Sequence, residues 1–165
     1  MFQKRLSRML GVSHSVAVAA PVSGRLIPLR EVKDEVFSRG FMGEGVAIDP
    51  SDGYVVAPIS GKVTHVIDTK HALVIEHSTG LQFLIHIGID TVDLKGEGFL
   101  VLVKAGDTLL EGQVIMKFDL HNIRKAGYPA FVLITAIGER LIDYVECEYR
   151  EVHMAEPDVF RIVLK

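Results

Sequence analysis

The chain has a single cysteine, Cys147, so no internal disulfide can form. That fits a reducing compartment. Cys147 stands between Glu146 and Glu148, and negative neighbours disfavour a thiolate, so it reads as inert rather than nucleophilic. No apolar run approaches the roughly 18 residues needed to span a bilayer. The N-terminus is basic but lacks a continuous apolar stretch and a small-residue cleavage site, which excludes a signal peptide. These absences predict a cytoplasmic protein. Neither sign of charge is in excess: a formal charge of −3 and a pI near 6.1 give no electrostatic reason to expect nucleic acid. Two catalytic motifs are also missing. There is no G-x-S-x-G for a serine hydrolase and no H-E-x-x-H for a zinc peptidase.

What is present is a chain of 165 residues, 48% apolar and 24% charged, long enough for one cored domain. No internal domain boundary is visible, so residues 16–165 read as a single domain. Residues 1–15 read as a flexible basic N-terminal segment. Within residues 1–10, Phe2, Leu6, Met9 and Leu10 recur at helical spacing, and Lys4, Arg5 and Arg8 project elsewhere. Such an amphipath can make weak contact with an anionic membrane surface. A frayed terminus is the plainer reading.

From Val16 onward, short β-branched runs alternate with Gly, Pro, Asp and Ser. Strands are predicted at 16–19, 25–28, 46–49, 62–68, 72–77, 82–87, 99–101, 114–118, 130–134 and 159–164. Turns this close leave no room for crossover helices, so the fold class is all-β: a mainly antiparallel sandwich. One or two short helices fit as well. One covers residues 120–126, with Asp119 as N-cap and Gly127 as stop, and the other is a turn at 34–39. Ala20–Leu26 (APVSGRL) is echoed by Ala57–Val63 (APISGKV). Either two similar hairpin units face each other, or A-P-x-x-G is merely a convenient turn.

Seven histidines are present, and two share a useful relation. His71 opens one predicted strand and His86 ends the next, with the Ser78–Gly80 turn about midway. A hairpin brings such ends together. A pair of imidazoles near a carboxylate suits a zinc site built from His71, His86 and Asp90, since H-x-x-x-D occurs at His86–Asp90. It equally suits His86 as a nucleophile, with His71 donating to the group under attack. Spacing leaves these two chemistries open. A third reading, a swinging-arm carrier of the biotinyl or lipoyl kind, draws on APISGKV and on VKAGDTLLEGQVI (Val103–Ile115). It needs a lysine on a tight hairpin, and the adjacent Met116–Lys117 pair is not in a predicted turn.

The run HIGIDTVDLKGEGF (His86–Phe99) closely resembles the active-site signature of glucose-type IIA components of the bacterial phosphoenolpyruvate-dependent sugar phosphotransferase system. The resemblance continues through Pro21–Val63, Thr69–Leu73, Val103–Ile115 and the final strand. It implies a phosphocarrier without a cofactor. Such a carrier takes a phosphoryl group from phospho-HPr and passes it to the cysteine of a IIB domain during sugar uptake. Further regulatory targets are known for the family. By position, His86 matches the histidine phosphorylated on Nε2, His71 the second histidine that contacts the phosphoryl group, and Thr69 the threonine that orients it. Asp90 and Asp34 match flanking acids that meet the partner. The apolar dish implied around the site falls on Val36, Phe37, Met42, Val46, Leu84 and Val92, with Ile67 and Val74 also at candidate positions. Taken singly, Val46, Ile67 and Val74 read better as core.

Overall fold

Gln82–Ile87 (β7) anchors the largest sheet. Its side chains alternate: Phe83, Ile85 and Ile87 enter the main core, while Leu84 and His86 face the other way. Burying three such side chains contributes roughly 5–9 kcal/mol. That is of the order of a domain's whole net stability, so the position of β7 is firmly held.

The computed structural model describes residues 14–40 and 42–165. The sheet containing β7 has eight strands. In spatial order they are β13 (Glu151–Val152), β2 (Gly24–Pro28), β3 (Glu44–Pro50), β11 (Val132–Ile137), β7, β6 (Ala72–Glu76), β5 (Gly61–Val66) and β9 (Thr108–Leu109). A second sheet runs β1 (Ser15–Val18), β14 (Phe160–Leu164), β12 (Ile142–Cys147), and a third runs β4 (Tyr54–Val56), β10 (Val114–Phe118), β8 (Phe99–Val101). Every neighbouring pair is antiparallel. The all-β antiparallel sandwich is therefore the observed fold.

Helix α1 (Glu35–Ser38) is the expected turn at 34–39, and Asp34 caps it: Oδ1 accepts from Val36 N at 3.0 Å and Phe37 N at 3.2 Å. Helix α2 (Leu120–Lys125) has Asp119 as its N-cap, with Oδ1 accepting from Asn122 N at 3.0 Å. Five strand expectations need correction. The run expected at 130–134 begins at Val132 and continues to Ile137. β4, β9, β12 and β13 were not expected as strands. β12 is an edge strand, exposed enough to carry Asp143 and Glu146 without an apolar alternation to announce it. The N-terminal amphipath at 1–10 lies outside the described residues; of the segment 1–15 only His14 and Ser15 are described, and Ser15 already belongs to β1.

The sequence echo has a physical counterpart. Pro21 O accepts from Val56 N at 2.8 Å, and Pro58 O accepts from Ala19 N at 2.9 Å. Ala20 exchanges backbone bonds with Ala155 and Glu156, while Ala57 does the same with Gly112 and Gln113. The two A-P segments thus clasp each other, each backed by its own returning chain. Met116 is fully buried and Lys117 sits mid-strand in β10. That is no place for a lysine presented on a hairpin tip. Cys147 resists ionisation, its thiol pushed up to about 11, but the first cause is burial; Glu148 adds to it and Arg150 opposes it.

Candidate functional site

A second apolar cluster lies on the outer face of the large sheet, under the two histidines. It contains Leu29, Val32, Phe37, Ala47, Ala72, Leu84, Ile89 and Leu133. His86 lies in the middle of the sheet, opposite Ala72 on one side and Leu133 on the other. The small side chain of Ala72 leaves room for the imidazole. His71, just before β6, is locked to the end of β7 by an Ile87 N–H bond to its carbonyl, 2.7 Å. The rings meet edge to face, 4.8 Å between centroids and 81° between planes. Phe37, carried on α1, lies 5.0 Å from the His86 ring on another side. The Phe99 and His71 ring centroids lie 6.4 Å apart, with the planes 62° from parallel.

Each ring has one nitrogen inside. Nδ1 of His71 lies 2.8 Å from Thr69 Oγ1. A hydroxyl donating there leaves the ring hydrogen on Nε2. The Thr69 backbone favours the protonated ring, which also carries Nε2–H. Burial, the larger influence, keeps the pKa of His71 below its ordinary value. Nδ1 of His86 is buried without a hydrogen bond of ordinary geometry. The Gly88 backbone facing it favours the protonated ring but does not complete a bond. Of the two His86 ring nitrogens, Nδ1 is thus the one enclosed by the fold.

Burial also dominates the protonation of His86. Its pKa falls to about 4, with the nearby His71 pushing the same way and the Gly88 backbone and Asp34 carboxylate opposing. The imidazole is thus neutral at pH 7. This has a cost in acid. Above pH 6.5 the ring is neutral in both folded and unfolded chains. Between pH 6.5 and 4 the unfolded ring takes up a proton that the folded one refuses, so stability falls as pH falls. The loss reaches about 3 kcal/mol below pH 4. Urea unfolding at pH 7 and pH 4 is expected to show an acid loss smaller by that amount in His86→Gln than in the wild type. Equal losses would mean that the fold does not hold the ring neutral.

The chain turns sharply after His86. Gly88 has φ +77°, and its N–H donates to Phe131 O at 2.8 Å. A Cβ there would meet Thr91 Cγ2 at 2.3 Å and Pro129 O at 3.1 Å. Thr91 is fully buried and its hydroxyl donates to Ile87 O, so it has nowhere to go. Gly88→Ala is expected to cost about 2–3 kcal/mol, from the left-handed conformation and the lost threonine bond. The urea midpoint reads this directly, and an unchanged midpoint would refute it.

The sequence model of the family described as phosphoenolpyruvate-dependent sugar phosphotransferase system, EIIA 1, matches residues 16–140. The chain belongs to this family. The PTS system glucose-specific EIIA component of Oceanobacillus iheyensis is 39% identical over 149 residues, covering 90% of each chain. That of Staphylococcus epidermidis is 42% identical over 123 residues, covering 74% of each. Among solved structures, glucose permease IIA from Mycoplasma capricolum superposes with a TM-score of 0.78 at 33% identity. The match covers 89% of this chain and 95% of that one. The chain is therefore a phosphocarrier component of sugar uptake. No described helix is long and apolar enough to cross a membrane.

Against the residues expected for an EIIA site, His86, His71, Thr69 and Phe37 come together. Asp34 adds a role not foreseen, since its cap on α1 holds Phe37 over His86. Leu84 lies two residues before His86 on the same face, but beneath the surface. Val36 and Val92 are each about half exposed, at 46% and 49%. Met42 is exposed too, and its carbonyl accepts from Thr135 Oγ1 at 2.7 Å, which ties it to the same sheet face. Asp90 is exposed and left-handed at φ +60°, opening the 3-10 turn Thr91–Leu94.

Val46 is a correction. It is wholly buried in the main core, and alternation along β3 gives the site face to Ala47 instead. Ile67 departs from its core reading and is 40% exposed, while Val74 packs half-buried against the outer cluster. Among the described residues, no group of three or more His, Cys, Asp and Glu side chains is disposed to hold a metal ion, so His71, His86 and Asp90 do not form the zinc set. Sequence reasoning missed Ala47, Ala72 and Thr91. The signal for Ala72 was its place opposite His86 in the hairpin.

Proposed function

We propose that the chain carries its phosphoryl group on Nε2 of His86, receiving it from HPr and passing it to the cysteine of a IIB domain, in the cytoplasm. The supporting observation is the edge-to-face histidine pair with Thr69 Oγ1 2.8 Å behind His71. In the receiving step the P–N bond to the donor's imidazole breaks as a bond forms to Nε2 of His86. The lone pair on Nε2 makes that bond, so the ring proton resides on Nδ1, facing the Gly88 backbone. His71 Nε2–H donates to a phosphoryl oxygen, where charge spreads in a loose transition state. In the second step the IIB thiolate takes the phosphoryl group, and the imidazole returns to its neutral form.

Val36, Met42 and Val92 supply an exposed apolar collar suited to transient partners and to keeping water from the phosphoryl group. Asp34 and Asp90 act on partner approach and orientation. The relatives' names favour a glucose permease as the recipient. Residues 16–165 serve as one carrier unit. Incubation with phosphoenolpyruvate, enzyme I and HPr is expected to add one phosphate, stable in base and lost in acid. A chain that acquires none, or an acid-stable one, would overturn the reading.

A further inference from the structure

Among the described residues, three side chains meet the His71 ring. Thr69 Oγ1 lies 2.8 Å from Nδ1, and the His86 ring stands at 81° to it. Phe99 is the third, with its plane at 62°. One hydrogen bond fixes where Nδ1 points but constrains the tilt of the ring plane only weakly. Nε2 lies off the axis of that bond, so tilting the plane swings its N–H. His86 cannot be the fixed wall, because it is the ring that gains and loses the phosphoryl group. Phe99 undergoes no such change. We propose that Phe99 is a positioning residue for phosphoryl transfer, holding the plane of His71 so that Nε2–H is directed at the phosphoryl group. This rests on the relay through His86 and His71.

Phe99 is placed to be rigid. It is buried in the main core, opposite Phe118 of β10. The backbone around it is pinned twice. Its own N–H donates to Gly96 O at 3.2 Å, and Asp119 N–H donates to Gly98 O at 2.8 Å. It belongs to the third sheet, whereas β6 and β7 belong to the large one, so this wall is independent of the strands beside which the histidines stand. A group that orients a reacting partner is effective when packing locks its own rotamer.

The turn that carries Phe99 also packs beside the turn that carries Thr69. A Cβ placed on Gly96 would lie 3.7 Å from Thr69 O and 3.7 Å from Lys70 Cδ. The two lasting supports of His71, a hydroxyl on Nδ1 and a ring beside the plane, are therefore braced against each other.

The test is rapid-quench transfer of phosphate to IIB from four loaded chains: wild type, Phe99→Leu, His71→Ala and the double variant. Phe99→Leu is expected to load from HPr as the wild type does, then to pass phosphate on roughly tenfold more slowly at saturating IIB. In the His71→Ala background the same change should cost less than about twofold, since no ring remains to be held. Phe99→Met, a milder core change, is carried through the same cycle and should behave alike. Phe118→Leu removes the facing core ring and is expected to lose stability while transferring at the wild-type rate. Equal onward rates in the wild type and both Phe99 variants would overturn the proposal and leave the relay intact. So would an equal loss in both backgrounds, or the same slowing in Phe118→Leu. A wild-type chain that acquires no phosphate, or a His71→Ala chain as fast as the wild type, would overturn the relay and the proposal with it.

Discussion

With His86 replaced by alanine, the chain incubated with phosphoenolpyruvate, enzyme I and HPr is expected to emerge with its mass unchanged. Neither His71 nor His77 is poised to substitute. His71 has its Nδ1 2.8 Å from Thr69 Oγ1, and with that hydroxyl donating, its Nε2 carries a hydrogen rather than a lone pair. His77 is held at the far end of the hairpin, its Nδ1 2.9 Å from Thr79 Oγ1. The effect cannot be dismissed as unfolding. The imidazole contributes no completed hydrogen bond through Nδ1, and removing a buried unpaired polar atom costs little or stabilises. A melting temperature at or above that of the wild type should therefore accompany the lost label. A phosphate persisting in His86→Ala would sink the assignment.

Changing His71 to alanine is expected to separate the two halves of the relay. The nucleophile remains, so phosphate still arrives, but onward transfer to IIB falls by roughly 10²–10³, the usual consequence of losing one preorganised donor to a developing charge. His71→Gln retains an amide donor and should recover part of that loss. The measurement is a rapid-quench time course of phosphate leaving the labelled chain for IIB. Equal onward rates in the wild type and in His71→Ala would show that the second ring only fills space.

The hairpin that makes this site was readable because two apolar runs of similar length flank the Ser78–Gly80 turn, with a histidine at the far end of each, and the observed register places Ala72 opposite His86. The outer face of β3 was not readable. Val46, Ala47 and Ile48 are all fully buried, so that part of the strand carries no polar alternation to say which side faces the site. A slip of one residue reverses the assignment, which is why the resemblance put Val46 in the dish where Ala47 stands. β12 escaped notice for the opposite reason: its exposure admits acids on an edge. The choice between zinc and phosphate was never in the spacing of His71, His86 and Asp90. It rested on the longer motif from His86 to Phe99, and the geometry bears on it through Asp90, which does not join the two histidines in a metal-holding group.

The unpaired Nδ1 of His86 bears on how strongly this carrier holds its cargo. A phosphoryl group on Nε2 commits the remaining proton to Nδ1, where the Gly88 backbone greets it incompletely. A buried donor without a full partner raises the free energy of the loaded form by about 1–3 kcal/mol over a fully paired one. The imperfection therefore raises the group-transfer potential of the phosphorylated chain. On the proposed assignment of the group to His86, the loaded chain is a stronger donor in both directions, a property readable as the phosphate exchange equilibrium with HPr.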